Sequence, residues 1–255
     1  MVSILQAIIL GIVQGITEWL PVSSSGHLVL FQHLFGLAPP VLFDVILHIG
    51  SLVVIFIVFW KDIKELVIGV FKRDKKYLKY LLWLIIASIP IALVGFFLND
   101  FIKSIFNNLS TVGFSLLLTA VLLFASKYPK AKNQKLKLCN TFVVGLAQAL
   151  AILPGVSRSG STISVGLMTG MKKREIATFS FLLFIPAILG ATLLEIKNVS
   201  EITNVSALIV GTIVAIIAGV LSLRLLLKII DKNKFSYFGW YCLALGLVVL
   251  IISYT

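Results

Sequence analysis

Six stretches, Val41–Trp60, Leu81–Leu98, Leu109–Ala125, Ile176–Leu194, Ser206–Leu227 and Tyr237–Tyr254, are each almost wholly apolar. A helix that crosses a bilayer needs about 20 mostly apolar residues, and a soluble core helix seldom does. Six of them in 255 residues leave lipid as the solvent. Only 13% of the residues are charged, where a soluble domain carries about 25% because its surface faces water. A soluble enzyme and a disordered regulator are excluded on that ground.

The net charge of +12 is of the kind that often marks a nucleic-acid binder, so the position of the charges has to decide. Seven Lys/Arg lie in Lys61–Tyr80, five in Lys127–Asn140, three in Met171–Glu175 and four in Arg224–Lys234. Of the 22, only Lys103, Lys197 and Arg158 lie elsewhere. Positive loops stay in the cytoplasm, so these four segments are expected inside, with both termini outside. Topology accounts for the charge, and no nucleic-acid partner is expected. Two cysteines, Cys139 and Cys242, make no disulfide framework. The apolar start Val2–Val13 lacks a basic flank and a small-residue cleavage site, so no cleaved leader is expected.

Two further apolar stretches are broken in the middle. Val2–Phe35 is interrupted by Pro21-Val-Ser-Ser-Ser-Gly26, and Asn140–Met171 by Pro154-Gly-Val-Ser-Arg-Ser-Gly160. Pro, Gly and clustered Ser suit a tight turn better than a helix interior. Both ends of the second stretch carry cytoplasmic charge, so it enters and leaves on one side. The expectation is an all-α polytopic membrane protein with six transmembrane helices plus two re-entrant helix hairpins; the alternative is that both breaks are surface loops. A shift of 134 residues lays the first break on the second, with six identities over positions 11–28. Each copy precedes three spans and starts on the opposite side. The chain therefore reads as one integral membrane domain, 1–255, made of inverted halves 1–133 and 134–255. Such repeats place their site where broken helices meet.

Ionisable groups inside the apolar stretches are costly and tend to be functional. Glu18 and His27 flank the first break and Arg158 sits in the second. Glu18 with Arg158 is either part of a polar cavity or a salt bridge between the halves; His27 is either catalytic or a cap. Asp44 and His48, four apart, form a structural pair or line the same cavity, and His33 is interfacial. Ser157-Arg-Ser-Gly-Ser-Thr162 has the parts of an anion site: hydroxyls, a close-approach glycine, a helix N-terminus and a guanidinium fork. Ser157, Arg158, Ser159, Gly160 and Thr162 are candidate phosphate-binding residues, joined by Ser23 and Ser25 from the first break. Gln14 and Glu18 share a helix face and make a weak metal pair, so that Mg²⁺ would be shared with substrate phosphates.

Gln14-x-x-x-Glu18 with Pro21-Val-Ser-Ser-Ser-Gly-His27, and Pro154-Gly-Val-Ser-Arg-Ser-Gly-Ser-Thr162, resemble the two signature motifs of the undecaprenyl-diphosphate phosphatases of bacitracin-resistance type. The likeness extends over the whole chain. It implies an enzyme of the cell membrane that removes the terminal phosphate of a C55 polyprenyl diphosphate, recycling the carrier lipid of cell-wall synthesis. It also implies a divalent cation, Mg²⁺ or Ca²⁺, and a site open to the outer face. The family has Glu or Gln at the position of Gln14, and the amide is the weaker ligand. The catalytic residues expected are Glu18, Ser24, His27 and Arg158, with Ser24 as nucleophile and His27 as its proton acceptor or as donor to the leaving group. A water nucleophile is the variant. A polyprenyl-phosphate flippase is the competing reading, because inverted repeats with broken helices are common in transporters.

Overall fold

The computed structural model describes residues 2–37, 41–106, 108–127, 136–195 and 204–254. Within them the chain is a bundle of helices: α1 (Ile4–Thr17), α2 (Ser24–Leu34), α3 (Val41–Val58), α4 (Trp60–Phe71), α5 (Lys75–Phe97), α6 (Asn99–Ile105), α7 (Leu109–Ala125), α8 (Leu138–Leu150), α9 (Arg158–Met168), α10 (Lys173–Glu195), α11 (Val205–Asp231) and α12 (Phe238–Tyr254). α5, α10 and α11 are each long and apolar enough to cross a membrane, as is α12 with the short 3-10 turn before it. α3 with α4, bent by 79°, and α6 with α7, bent by 101°, raise the count from four to six if each pair is one span. Most of the basic stretch 127–140 and Lys197 lie outside the described residues.

The region Lys61–Tyr80, expected as a loop, is helical almost throughout. α3 stops at Val58 and the chain resumes as α4 at an angle, so the first apolar stretch ends in a corner. The reason is that α4 is amphipathic. Lys61, Lys64 and Glu65 alternate with Ile63, Leu66 and Val67, a pattern that favours a helix at a polar–apolar boundary.

Both broken stretches are helix–break–helix. Their second arms, α2 and α9, are each 11 residues long and lie 134 residues apart at both ends. The caps match as well. Ser23 Oγ accepts the Gly26 amide at 3.3 Å and Ser157 Oγ accepts the Gly160 amide at 3.0 Å. Ser23 contacts Ser25 and Ser157 contacts Ser159 through their hydroxyls in the same way. Each cap satisfies an amide that a helix start leaves unpaired.

The first arms cross over. α1 lies against α11 and α8 lies against α5, so each half's arm rests on the other half. Small residues set these crossings. A Cβ on Gly11 would run into the Gly211 carbonyl, one on Gly15 into Ala215 and Gly219, and one on Gly145 into the Ala87 backbone. Close backbone approach through small residues is how helices associate when lipid offers no hydrophobic drive. Trp19, fully buried, anchors the first break by edge contacts to Phe181 and Phe184 at 5.8 and 5.7 Å. Ser159 Oγ donates to the Trp19 carbonyl at 3.1 Å, so one break is fastened to the other.

Candidate active site

At the point where the breaks meet stands one carboxylate, Glu18, which follows the last turn of α1 and is 7% exposed. Arg158, the first residue of α9, donates through Nη2 to Glu18 Oε1 at 2.8 Å. Ser24, the first residue of α2, donates to Glu18 Oε2 at 2.6 Å. The shift of 134 residues that relates the halves lays Ser24 on Arg158. Equivalent positions of the two breaks thus grip the two oxygens of a single acid. The sequence left a cavity pair and a bridge between halves as alternatives for Glu18 and Arg158; the two side chains are joined directly, and Ser24 joins them.

Three further groups complete the surroundings of Glu18. Gln14, one helical turn earlier, donates through Nε2 to Glu18 Oε2 at 3.1 Å and to Ser51 Oγ at 3.2 Å. His48 places Nε2 3.3 Å from the same Oε2, and its Nδ1 donates to the Asp44 carbonyl at 2.7 Å. The guanidinium of Arg158 lies over the Phe184 ring, 4.3 Å from its centroid, and Nη1 reaches the Ser180 carbonyl at 3.4 Å. Ring stacking and a carboxylate hold the fork in one plane.

His27 is one turn beyond Ser24, but its ring turns away from that hydroxyl. Nδ1 donates to the Ser23 carbonyl at 2.7 Å, and Nε2 shares a hydrogen bond of 2.7 Å with the hydroxyl of Tyr241 on α12, whose ring lies parallel to the imidazole. Ser23 itself has φ of +69°, a left-handed conformation that a residue with a Cβ seldom takes. Its carbonyl is aimed by that conformation at both the amide and the ring of His27. Strain of this kind collects at functional sites.

The hydroxyls of the second break are turned inward. Ser157 caps α9, Ser159 bonds to the Trp19 carbonyl, and Thr162 bonds to the Arg158 carbonyl and to Ser180 Oγ at 2.7 and 2.6 Å. Ser157 also takes up the amides of Gly160 and Ser161. The first turn of α9 therefore offers an anion the guanidinium and the amides of Arg158 and Ser159.

Among the described residues no group of three His, Cys, Asp or Glu side chains could hold a metal ion. Glu18 Oε2 and Gln14 Oε1, which is buried without a partner, are two oxygens that suit a divalent cation whose other positions are filled by phosphate oxygens.

The profile of the family described as "Bacitracin resistance protein BacA" matches residues 7–248. The chain belongs to the BacA family. Curated relatives include an "Undecaprenyl-diphosphatase" of Methanosphaera stadtmanae, 42% identical with 99% of each chain covered. Others of the same description come from Bacteroides thetaiotaomicron, 42% identical, and Halothermothrix orenii, 40% identical, each with 98% of both chains covered.

This BacA chain also carries site residues that its sequence did not single out. Ser51 extends the face of Asp44 and His48 by one more turn, and that i, i+4, i+7 row of polar residues in an apolar helix was the available signal. Ser180, Phe184 and Tyr241 gave none, since nothing local distinguishes them from lipid-facing or core positions. The second break lacks an acid of its own: Ile152 stands where the shift puts Glu18, and Gln148, the counterpart of Gln14, is fully buried with neither amide atom paired.

Proposed function

We propose that this BacA chain is a membrane phosphatase that hydrolyses undecaprenyl diphosphate to the monophosphate and inorganic phosphate, returning the carrier lipid to cell-wall synthesis. The names of its relatives support the substrate. The observation that carries the chemistry is the single carboxylate of Glu18 holding a hydroxyl, Ser24, and a guanidinium, Arg158, at 2.6 and 2.8 Å.

A nucleophilic serine needs a base within hydrogen-bond reach, and for Ser24 that base is Glu18. The Ser24 proton passes to Glu18 Oε2 as Oγ bonds to the terminal phosphorus. The bridging P–O bond breaks, and its electron pair stays on the departing lipid monophosphate. Arg158 has five N–H donors, of which the structure uses one for Glu18 and one for Ser180. The others, with the Arg158 and Ser159 amides, neutralise the charge of the transferring phosphoryl group. Ser23, Ser25, Ser157, Ser159, Gly160 and Thr162 shape this cradle. Water then attacks the phosphoserine; the Ser24 Oγ–P bond breaks, Oγ takes back the proton held by Glu18 Oε2, and both protons of the water stay with the released phosphate. His27, held between Tyr241 and the Ser23 carbonyl, keeps the turn at Ser23 in place. In the variant without phosphoserine, Ser24 binds phosphate and Glu18 activates water directly. A divalent cation held by Glu18 and Gln14 would add charge neutralisation on the diphosphate.

The likeness of the two motifs to the family supports a site open to the outer face of the cell membrane, and the matching arms and caps support inverted halves, each contributing one re-entrant hairpin. They also keep the flippase reading alive, because that architecture serves transport. Phosphate release from C55 diphosphate by purified protein in detergent separates the two. A phosphatase releases phosphate without two compartments, and a pure flippase releases none.

A further inference from the structure

His48 faces Glu18 in a way that the phosphatase chemistry leaves unexplained. The Asp44 backbone oxygen can only accept, so the bond of 2.7 Å fixes the proton of His48 on Nδ1. Neutral His48 then presents the lone pair of Nε2 toward the carboxylate oxygen Glu18 Oε2 at 3.3 Å. Two acceptors at that distance repel unless a positive charge lies between them. A second acceptor without a donor, Gln14 Oε1, belongs to the amide that also touches Oε2. A shared proton would satisfy His48 and Glu18 and leave Gln14 Oε1 orphaned. A metal ion between His48 Nε2 and Glu18 Oε2 supplies that charge, and the Gln14 amide beside them offers it an oxygen that has no donor.

We propose that His48 Nε2 is a metal ligand, joining Glu18 and Gln14 in a three-donor site for a divalent cation, and that its nitrogen moves the preference from Mg²⁺ and Ca²⁺ toward Mn²⁺. Mg²⁺ and Ca²⁺ take oxygen ligands almost alone, whereas an imidazole suits first-row transition ions and a carboxylate suits Mn²⁺. The role of such a cation rests on the phosphatase reading, but its binding does not. Ser51, which holds the Gln14 amide, and Asp44, whose carboxylate accepts from Gln32 at 2.8 Å, orient the set from outside. Outer partners of this kind keep ligands aligned.

The test uses the chelator-stripped full chain in detergent with Mn²⁺ as probe, by electron paramagnetic resonance, with and without methylenediphosphonate. The expected result is one Mn²⁺ per chain with nuclear modulation from one imidazole nitrogen. His48→Ala should abolish the modulation and weaken binding about 10- to 100-fold, the scale set by losing even an outer partner. His48→Gln should bind without modulation and lose most of the preference for Mn²⁺ over Mg²⁺. Mn²⁺ bound by the wild type without nitrogen modulation overturns the proposal, and this reading needs no variant to fold. So does unchanged affinity in His48→Ala, or a wild type that binds no Mn²⁺ under either condition, in which case a proton fills the gap. Phosphate release is measured separately: none with Mg²⁺, Ca²⁺ or Mn²⁺ sinks the phosphatase while leaving the metal site standing.

Discussion

Arg158 and Ser24 compete for nothing, because Glu18 gives each its own oxygen. Removing either partner therefore leaves a buried carboxylate short of a donor as well as the reaction short of a group. Arg158→Ala should lower kcat for phosphate release by about 10²–10³, as lost oxyanion donors do; Arg158→Lys should recover only part, since an ammonium cannot lie over Phe184 and fork at the same time. Glu18→Gln keeps the shape and removes the base, and kcat should fall by about 10² or more. Wild-type rates in Glu18→Gln would assign the serine proton to another group. These residues were legible because acids and guanidinium groups are rare in apolar sequence, so each one is conspicuous. Tyr241 was not. A tyrosine near a helix end reads as an interfacial anchor, and only the packing of α12 beside α2 gives its hydroxyl a partner.

The two breaks are built alike but finished differently. Ser157 caps α9 from an ordinary extended conformation, whereas Ser23 caps α2 from the left-handed region. Ser157→Ala should cost about 1 kcal/mol, the usual value of an N-cap, read as a lower midpoint in thermal unfolding in detergent. Ser23→Gly should lose the same cap but shed backbone strain, so its loss should be the smaller of the two. The arms themselves, and the cap serines, could be read from Pro–Ser–Gly clusters flanked by apolar runs. The corner between α3 and α4 could not. The charges of Lys61–Tyr80 read as solvent signals, while the apolar residues between them follow a helical period along a boundary.

At the scale of the whole molecule the two ends of the sequence are interlocked, since α1 lies on α11. Gly11→Val should be strongly destabilising because its branched side chain meets the Gly211 backbone. Overpacking costs about 1–3 kcal/mol where neighbours can shift, and backbone cannot; loss of monodisperse protein on size exclusion is the readout. Orientation in the membrane is tested by Cys139, which is exposed at the start of α8, against Cys242, which is buried. With the basic segments in the cytoplasm, an impermeant maleimide should leave Cys139 untouched in intact cells and label it after permeabilisation; labelling of intact cells reverses the orientation. The apolar helices were legible as hydropathy, and the matching caps of the two breaks as a 134-residue shift, but crossing of the arms was not, because small residues fix contact without naming the partner. That crossing has a consequence during synthesis. The glycine face of α1 leaves the ribosome first and finds its seat only when α11 has been made, and Tyr241 arrives later still. A nascent chain thus carries Ser24 and Glu18 toward the bilayer well before the seat of α1 and the partner of His27 exist, and on the proposed chemistry a product cut short upstream of α11 should release no phosphate.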